Sequence, residues 1–276
     1  MASNSSDQAD SVMEPPTKRY LRIAQADSYA GHARRADLMG RVEAMLKRYY
    51  PAEQDPYRLY EKQIAHYLRR KHMLLDAGCG RLAPVLHLFR EQVEKAIGVD
   101  LVQFSPELAD SGLLLLNCEL TAIPLASASL DLIISRSVVE HLADPACAYA
   151  EFHRLLKPGG RLIFITPNVW SYPMVASRII PNRFHAAVVD WAEGRPKDDT
   201  FETYYRSNSF RAIRRLAAGT AFEVTSLSWL TMFPNYLMFH PWAFRAGIAY
   251  ERLVSRVRPL NFLQHWILAV LTKPVQ

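Results

Sequence analysis

The sequence predicts an α/β fold, a doubly wound and mostly parallel sheet, on three observations. Short, nearly continuous apolar runs recur between residues 73 and 166, as strands covered on both faces require. Helical stretches separate most of them, and strand–helix alternation builds parallel sheets. Polar or acidic residues close several runs, at Asp76, Asp100, Asn117 and Ser135. Open sheets of this kind bind ligands beyond those strand ends.

The elements follow in order. Leu38, Val42, Leu46 and Tyr49 recur at helical spacing with Arg and Lys between them, which predicts a helix over residues 32–50. Asp55-Pro56 supplies a cap and a first-turn proline for a second helix, "YRLYEKQIAHYLRR". Strands are expected at "MLLDA" (73–77), "AIGVD" (96–100), "LLLLN" (113–117), "LDLIIS" (130–135) and "RLIFIT" (161–166). One helix opens at Pro84. Another opens at Asp144-Pro145 and is expected to end at Lys157-Pro158-Gly159-Gly160. After Asn168 the regularity breaks, and an insertion rich in Pro, Arg and aromatics spans 169–206. A helix resumes in "SFRAIRRLAAG", a strand follows in "FEVTSLSWL", and a second insertion spans 231–262. The last strand, "WILAVLTK", completes seven strands at the C-terminal edge.

With 276 residues, half of them hydrophobic and 22% charged, the chain supports one substantial core. Residues 1–22 read as a disordered tail, and residues 23–276 as a single domain with its core at 70–168. The start, "MASNSSDQADS", lacks an apolar signal core, and no apolar run reaches 18 residues. No spanning helix is therefore expected. Cys79, Cys118 and Cys147 are odd in number and too widely spaced for zinc-ligand pairs. They read as reduced thiols in a cytoplasmic protein, with no metal site. The net charge of +6 fits either arginines scattered over solvated faces or an anionic partner.

Gly78-x-Gly80-x-x-Ala83, with Asp100 further on, fits a dinucleotide fingerprint and taken alone permits NAD(P) and an oxidoreductase. Three features point elsewhere. Asp76 stands two residues before the loop, and a carboxylate beside a diphosphate at low dielectric costs on the order of several kcal/mol. Glu119, after the third strand, is a second acid on the binding edge. "SRSVVEHL" and "LLKPGG" have no part in a nicotinamide site.

"LLDAGCG", "GVD", "CELTAIPL", "DLIISRSVVEHL" and "LLKPGGRLIFITPN", in this order, resemble the class I S-adenosylmethionine-dependent methyltransferases. The nearest branch is that of small-molecule enzymes like those of quinone biosynthesis. The resemblance covers residues 70–170. It implies a Rossmann-like seven-stranded sheet with an antiparallel last strand, N-terminal helices and C-terminal insertions that cap a substrate. It implies S-adenosylmethionine as cofactor. Gly78, Cys79 and Gly80 would let backbone approach its methionine part. Asp76 would lie near the amino group, and Ser135 would offer its carbonyl to it. Asp100 would take the ribose hydroxyls, Leu101 would flank the adenine, and Glu119 and Leu120 would receive its edge. Each acid also has a plain reading as a helix cap or a solvated loop residue. The family's third glycine is replaced here by Leu82.

Methyl transfer needs alignment of two reactants, and a base only where the nucleophile must lose a proton. His141 is placed for that role or for ordering its loop. Asn168, Tyr204, Tyr205 and Arg206 are candidates to line a substrate pocket, and His185, Asp190 and His240 are further polar candidates in the insertions. Nucleic acid is not an expected partner, since the fourth strand is followed by "SRSVVEH" and not by the Asn/Asp-Pro-Pro-aromatic motif of base methyltransferases. "WLTMFPNYLMFHPWAF" (229–244) leads into a helix from Pro241. Trp242, Ala246, Tyr250, Leu253 and Val257 share one wheel face, and Arg245, Arg252 and Arg256 share another. That face either packs on the sheet edge or, across 229–258, meets a membrane surface or a lipid-like small-molecule acceptor. The expected reaction is in-line methylation of a hydrophobic acceptor, at oxygen by preference. An oxidoreductase and a non-catalytic binding protein are the competing readings.

Overall fold

The computed structural model describes residues 32–179 and 201–275. The expected N-terminal tail lies outside the described residues, as do His185 and Asp190. The chain runs α1 (His32–Tyr49), α2 (Pro56–Tyr67), β1 (Met73–Ala77), α3 (Pro84–Phe89), β2 (Lys95–Asp100), β3 (Leu114–Asn117), β4 (Leu130–Arg136), α4 (Pro145–Leu155) and β5 (Leu156–Pro167). It continues α5 (Tyr172–Ile179), α6 (Phe210–Gly219), β6 (Glu223–Leu230), α7 (Pro241–Arg256) and β7 (Trp266–Thr272).

Side-chain caps start several helices where the sequence places them. Asp55 accepts from Tyr57 N, Asp144 from Ala146 and Cys147 N, and Ser209 from Ala212 N. Each cap satisfies a donor that the first helical turn leaves free.

The seven strands lie in the order β3-β2-β1-β4-β5-β7-β6. β1 to β5 are parallel, and β7 is antiparallel to both its neighbours. β7 does not form the edge. It inserts between β5 and β6, because its apolar run is buried along most of its length while the polar-alternating β6 is largely uncovered. The order reverses at β1, whose neighbours β2 and β4 carry the chain in opposite directions. The crevice above β1 and β4 is thus the switch point where ligands bind such sheets.

Strand alternation sends side chains to two cores. Leu75, Val99, Ile133, Leu162 and Phe164 pack under α4 and α6. Leu74, Leu132, Ile134 and Ile163 pack under α2 and α3. Full burial of each such side chain is worth about 1.5–3 kcal/mol. A third cluster, with Val42, Leu46, Phe233, Phe244 and Ile248, joins α1 and α7 over the 231–240 segment.

Two expectations are corrected. α4 ends at Leu155, and "LKPGG" already belongs to β5. Leu156 pairs with Leu130, the register then shifts, and pairing resumes at Leu132 with Arg161. Gly159 (φ +79°) and Gly160, whose added Cβ would meet Lys157 O at 2.9 Å, absorb this bulge. On α7 the buried face is Phe244, Gly247, Ile248, Glu251 and Val254. Of the stripe read from the wheel, Trp242, Leu253 and Val257 stand exposed and Tyr250 is half-buried. Gly247 decides the face, since Pro234 packs where its Cβ would be, at 2.5 Å.

Asp131 ties three strands at their amino ends. It accepts from Met73 N at 2.8 Å and from Lys157 Nζ at 2.8 and 2.9 Å. Asp131→Ala is expected to cost about 1.5–3 kcal/mol in urea unfolding. A loss under about 0.5 kcal/mol, the range of surface substitutions, would mean that this tie contributes nothing to the sheet.

Candidate cofactor and acceptor site

The loop after β1 owes its shape to two left-handed glycines. Gly78 has φ +80°, and an added Cβ would come within 2.3 Å of Val138 Cγ2. An L side chain is therefore excluded both by strain and by space. Gly78 N and Cys79 N donate to Val99 O at 2.8 and 3.1 Å. Gly80 has φ +74°, and an added Cβ would meet nothing within 4 Å, so the space before this backbone is open. The next left-handed residue is Ala83, at φ 43°. Leu82, at the family's third glycine, avoids that conformation because the turn into α3 falls one residue later.

Asp100 closes the loop from the β2 side. Its Oδ2 accepts from Gly80 N at 2.7 Å and its Oδ1 from Val102 N at 3.1 Å. Asn117 Nδ2 donates to Asp100 O and Val102 O, holding the β2 and β3 tips together. Leu101 is 57% exposed. Glu119 is also exposed and accepts from Thr121 Oγ1 at 3.3 Å. Leu120 packs at the margin of the α4-side core. Ser135 is buried, and its hydroxyl donates to Ala77 O at 2.8 Å. Cys79 is buried as well, and its thiol pKa is pushed up by burial and then by the charges of Asp76 and Asp100.

Asp76 is 1% exposed, and its Oδ1 has no hydrogen-bond partner. It lies on the α2 face with Leu74, near Tyr60. Burial pushes its pKa up to about 7, Asp100 adds to that rise, and Arg136 opposes it. A buried carboxylate without a donor is costly. It draws in an ammonium and repels a diphosphate. Because the folded pKa lies above the ordinary carboxyl value, the folded chain keeps a proton that the unfolded chain releases. Its contribution to stability is fully present below about pH 4 and is lost as pH rises toward 7. Asp76→Asn is expected to remove this loss, so variant and wild type diverge in urea midpoint between pH 4 and 7, with the variant the more stable at pH 8. Parallel midpoint curves across that window would contradict the assignment.

Beyond β4, the 3-10 turn Val139–His141 carries a buried Glu140. Thr166 Oγ1 donates to Glu140 Oε2 at 3.0 Å, and Tyr204 N and Tyr205 N donate to Glu140 O. His141 Nδ1 lies 2.9 Å from Glu202 O. A carbonyl only accepts, so Nδ1 carries the hydrogen and Nε2 is the free nitrogen. The ring also meets Phe201 edge-on at 6.1 Å, and His141 thereby fastens the 201–206 segment to the β4 tip. Tyr204 donates to Glu202 at 2.8 Å, Tyr205 is left-handed at φ 52°, and Arg206 donates to Ala143 O and stacks over Tyr204. These three line the same segment beside His141.

Asn168 departs from the sequence reading. It is buried, and its Nδ2 donates at 2.7 Å to both Phe262 O and Gln264 O. Both amide hydrogens are used inside the protein, so the residue braces the segment before β7 and has no donor left for a substrate. His240 caps α7, its Nδ1 accepting from Trp242 N at 3.2 Å.

Sequence reasoning missed Tyr60, Arg136, Val138 and Glu140. Arg136 and Glu140 stand inside "SRSVVEHL", so charged residues bracketing a strand tip were a usable signal. Tyr60 and Val138 carried none, because only packing brings them to the loop.

The family described as "Methyltransferase domain" matches residues 75–164, the span from β1 to β5 that holds the glycine loop and its acids. Residues 75–164 thus carry a methyltransferase domain, and the proteins this chain is similar to include S-adenosylmethionine-dependent methyltransferases. A ubiquinone biosynthesis O-methyltransferase from Cereibacter sphaeroides is 28% identical over 170 residues, covering 56% of this chain and 66% of that protein. The match thus spans just under two thirds of that relative's length. A malonyl-[acyl-carrier protein] O-methyltransferase from Serratia marcescens is 31% identical over 96 residues, 34% of this chain and 37% of that one. Among solved structures, a geranyl diphosphate C-methyltransferase from Streptomyces coelicolor superposes with a TM-score of 0.51 at 18% identity, covering 91% of this chain and 88% of that chain. The [4+2]-cyclase SpnF does so with a TM-score of 0.50 at 14% identity, covering 78% and 80%. At such identity these two show the fold alone. The family's cofactor, S-adenosylmethionine, fits the residues present: an orphaned buried carboxylate at Asp76 suits its ammonium, and the open front of Gly80 leaves room for it.

Proposed function

We propose that this methyltransferase methylates an oxygen of a small hydrophobic acceptor. The observation that carries the reading is the pairing of a buried, unpartnered Asp76 with an open left-handed glycine loop held by Asp100. When bound, S-adenosylmethionine supplies a methyl group on a positively charged sulfur. Asp76 holds the ammonium. Asp100 accepts from the ribose hydroxyls while its other contacts keep the loop in place. Leu101 flanks the base, and Glu119 and Leu120 meet its edge. Ser135, its hydroxyl already committed to Ala77, offers only its carbonyl. Tyr204, Tyr205 and Arg206 line the acceptor side. The bond to Glu202 supports a positioning role for His141, which keeps that segment against the cleft. Holding two reactants aligned at near-attack distance is worth about 7–11 kcal/mol. The O-methyltransferase names of the Cereibacter and Serratia relatives favour oxygen. The two acids and the family match set the nicotinamide reading aside.

Calorimetry tests the cofactor assignment. Wild type is expected to bind S-adenosylmethionine at micromolar concentration, and Asp100→Ala to lose binding while keeping its far-ultraviolet dichroism. No heat from the wild type would reject the function. Mass spectrometry of cell extracts incubated with protein and methyl-labelled cofactor identifies the acceptor as the molecule that gains the label.

The uncovered face of α7 supports a greasy acceptor drawn from a membrane surface. Trp242 is 71% exposed, Phe239 is exposed just before α7, and Leu253 and Val257 are exposed at its far end. Arg245 lies 5.4 Å over the Trp242 ring, and Arg252 and Arg256 are exposed on the same helix. Apolar residues flanked by arginines suit an anionic lipid surface. No helix among the described residues is long and apolar enough to cross a membrane. Phosphatidylglycerol vesicles are expected to co-sediment the protein at low salt and phosphatidylcholine vesicles are not, with Trp242→Ala weakening the first. Equal sedimentation with both lipids, or none, counts against the contact.

A further inference from the structure

A second polar cluster lies under the C-terminal cap, on the same pole of the sheet as the glycine loop. Glu251 of α7 and His265, the residue before β7, are 2% and 6% exposed. Glu251 Oε1 and His265 Nδ1 stand 3.0 Å apart. Neither carboxylate oxygen and neither ring nitrogen completes a hydrogen bond, and the buried hydroxyls of Tyr50 and Tyr172 are also unpartnered. The Tyr172 ring meets His265 edge-on at 4.9 Å and Tyr250 at 5.5 Å. Burial, followed by the charge of Glu251, pushes the Tyr50 and Tyr172 phenols up, so both stay neutral donors.

Buried polar groups are almost always paired, and an unpaired set invites an explanation. Here they come from four places in the chain: the end of α1, α5, α7 and the approach to β7. A carboxylate, an imidazole and two phenols complement a hydroxyl-bearing ring, while the carboxylate disfavours an anion. The backbone fixes the location. Asn168 N donates to His265 O at 2.8 Å, which ties the pair to the tip of β5. β5 lies two strand spacings, about 10 Å, from β1.

We propose that Glu251 and His265 form the acceptor-activating site, where a hydroxyl of a phenolic acceptor gives its proton to His265 while Glu251 orients the imidazole. This rests on the methyl-transfer reading above. With Nδ1 facing Glu251, Nε2 is the nitrogen that takes the proton. The acceptor O–H bond breaks toward Nε2, and the oxygen's electron pair closes on the methyl carbon as the carbon–sulfur pair is released to sulfur. His265 then returns its proton to water. Entry requires the Tyr172–Tyr250 contact between α5 and α7 to part.

The test uses the full chain with catechol as probe. Calorimetry with S-adenosylmethionine comes first, on wild type, Glu251→Gln and His265→Asn. Equal binding by all three keeps the cofactor site separate, whereas failure of the wild type strikes the methyl-transfer reading itself. In the presence of S-adenosylhomocysteine, catechol is expected to shift the ¹⁵N ring resonances of His265, assigned by their loss in His265→Asn, in a saturable way. In turnover, Glu251→Gln is expected to lower kcat by about 10²-fold or more at unchanged KM for catechol. It should also change the pH profile of kcat, because Glu251 faces the ring that takes the proton. A merely structural pair would lower the unfolding midpoint and leave the pH profile in place. A His265 ring unmoved by millimolar catechol, or His265→Asn with wild-type kcat, overturns the proposal.

Discussion

The carboxyl pole of this sheet depends on one contact, the backbone of Gly78 against the side chain of Val138. It joins the loop after β1 to the loop after β4 across the switch point, and it leaves no room for a Cβ. Because Gly78 and Cys79 also donate to Val99, the loop is fixed from β2 as well. Asp100, Asp76 and Ser135 then take up positions around it. The site is a consequence of where three strand ends are forced together: the backbone donors of Gly80 and Val102 hold Asp100, while Asp76 has the charge of Arg136 nearby and no donor to its Oδ1.

The parallel half of the fold was legible because its signals are local. Apolar runs mark β1 to β5, and Asp55-Pro56 and Asp144-Pro145 mark helix starts within a residue. The glycine loop was legible for the same reason. Signals that depend on distant partners were not. "LKPGG" reads as a helix stop, and only pairing with Leu130 makes Leu156 a strand residue. The wheel of α7 put the apolar stripe on Trp242, Ala246, Tyr250, Leu253 and Val257, but Pro234, from another segment, packs on the face that holds Gly247. Asn168 looked like a cleft residue from its place at the end of β5, but carbonyls 262 and 264, nearly a hundred residues later, claim its amide.

The two ends of the proposed cleft are built by different physics. The cofactor end is mainly backbone: left-handed glycines, strand-end carbonyls and a few acids whose spacing the strand register sets. The acceptor end is side chains gathered from α1, α5, α7 and the 201–206 segment, with no shared period along the chain. The first kind of site can be read from one stretch of sequence. The second is assembled by packing, so Glu251 and His265 give no sign of each other until the cap is folded.

The position of β7 has a further consequence for how the molecule is made. β5 and β6 both wait for it as a central partner, yet it is the last element of the sheet to leave the ribosome. Until then β5 presents an open edge with continuous apolar faces, and β6 has nothing to pair with. Such edges are prone to association between nascent chains. Cotranslational folding settles β1 to β4 from neighbouring segments, while the final closure of β5 and β6 on β7 is a long-range, slow step.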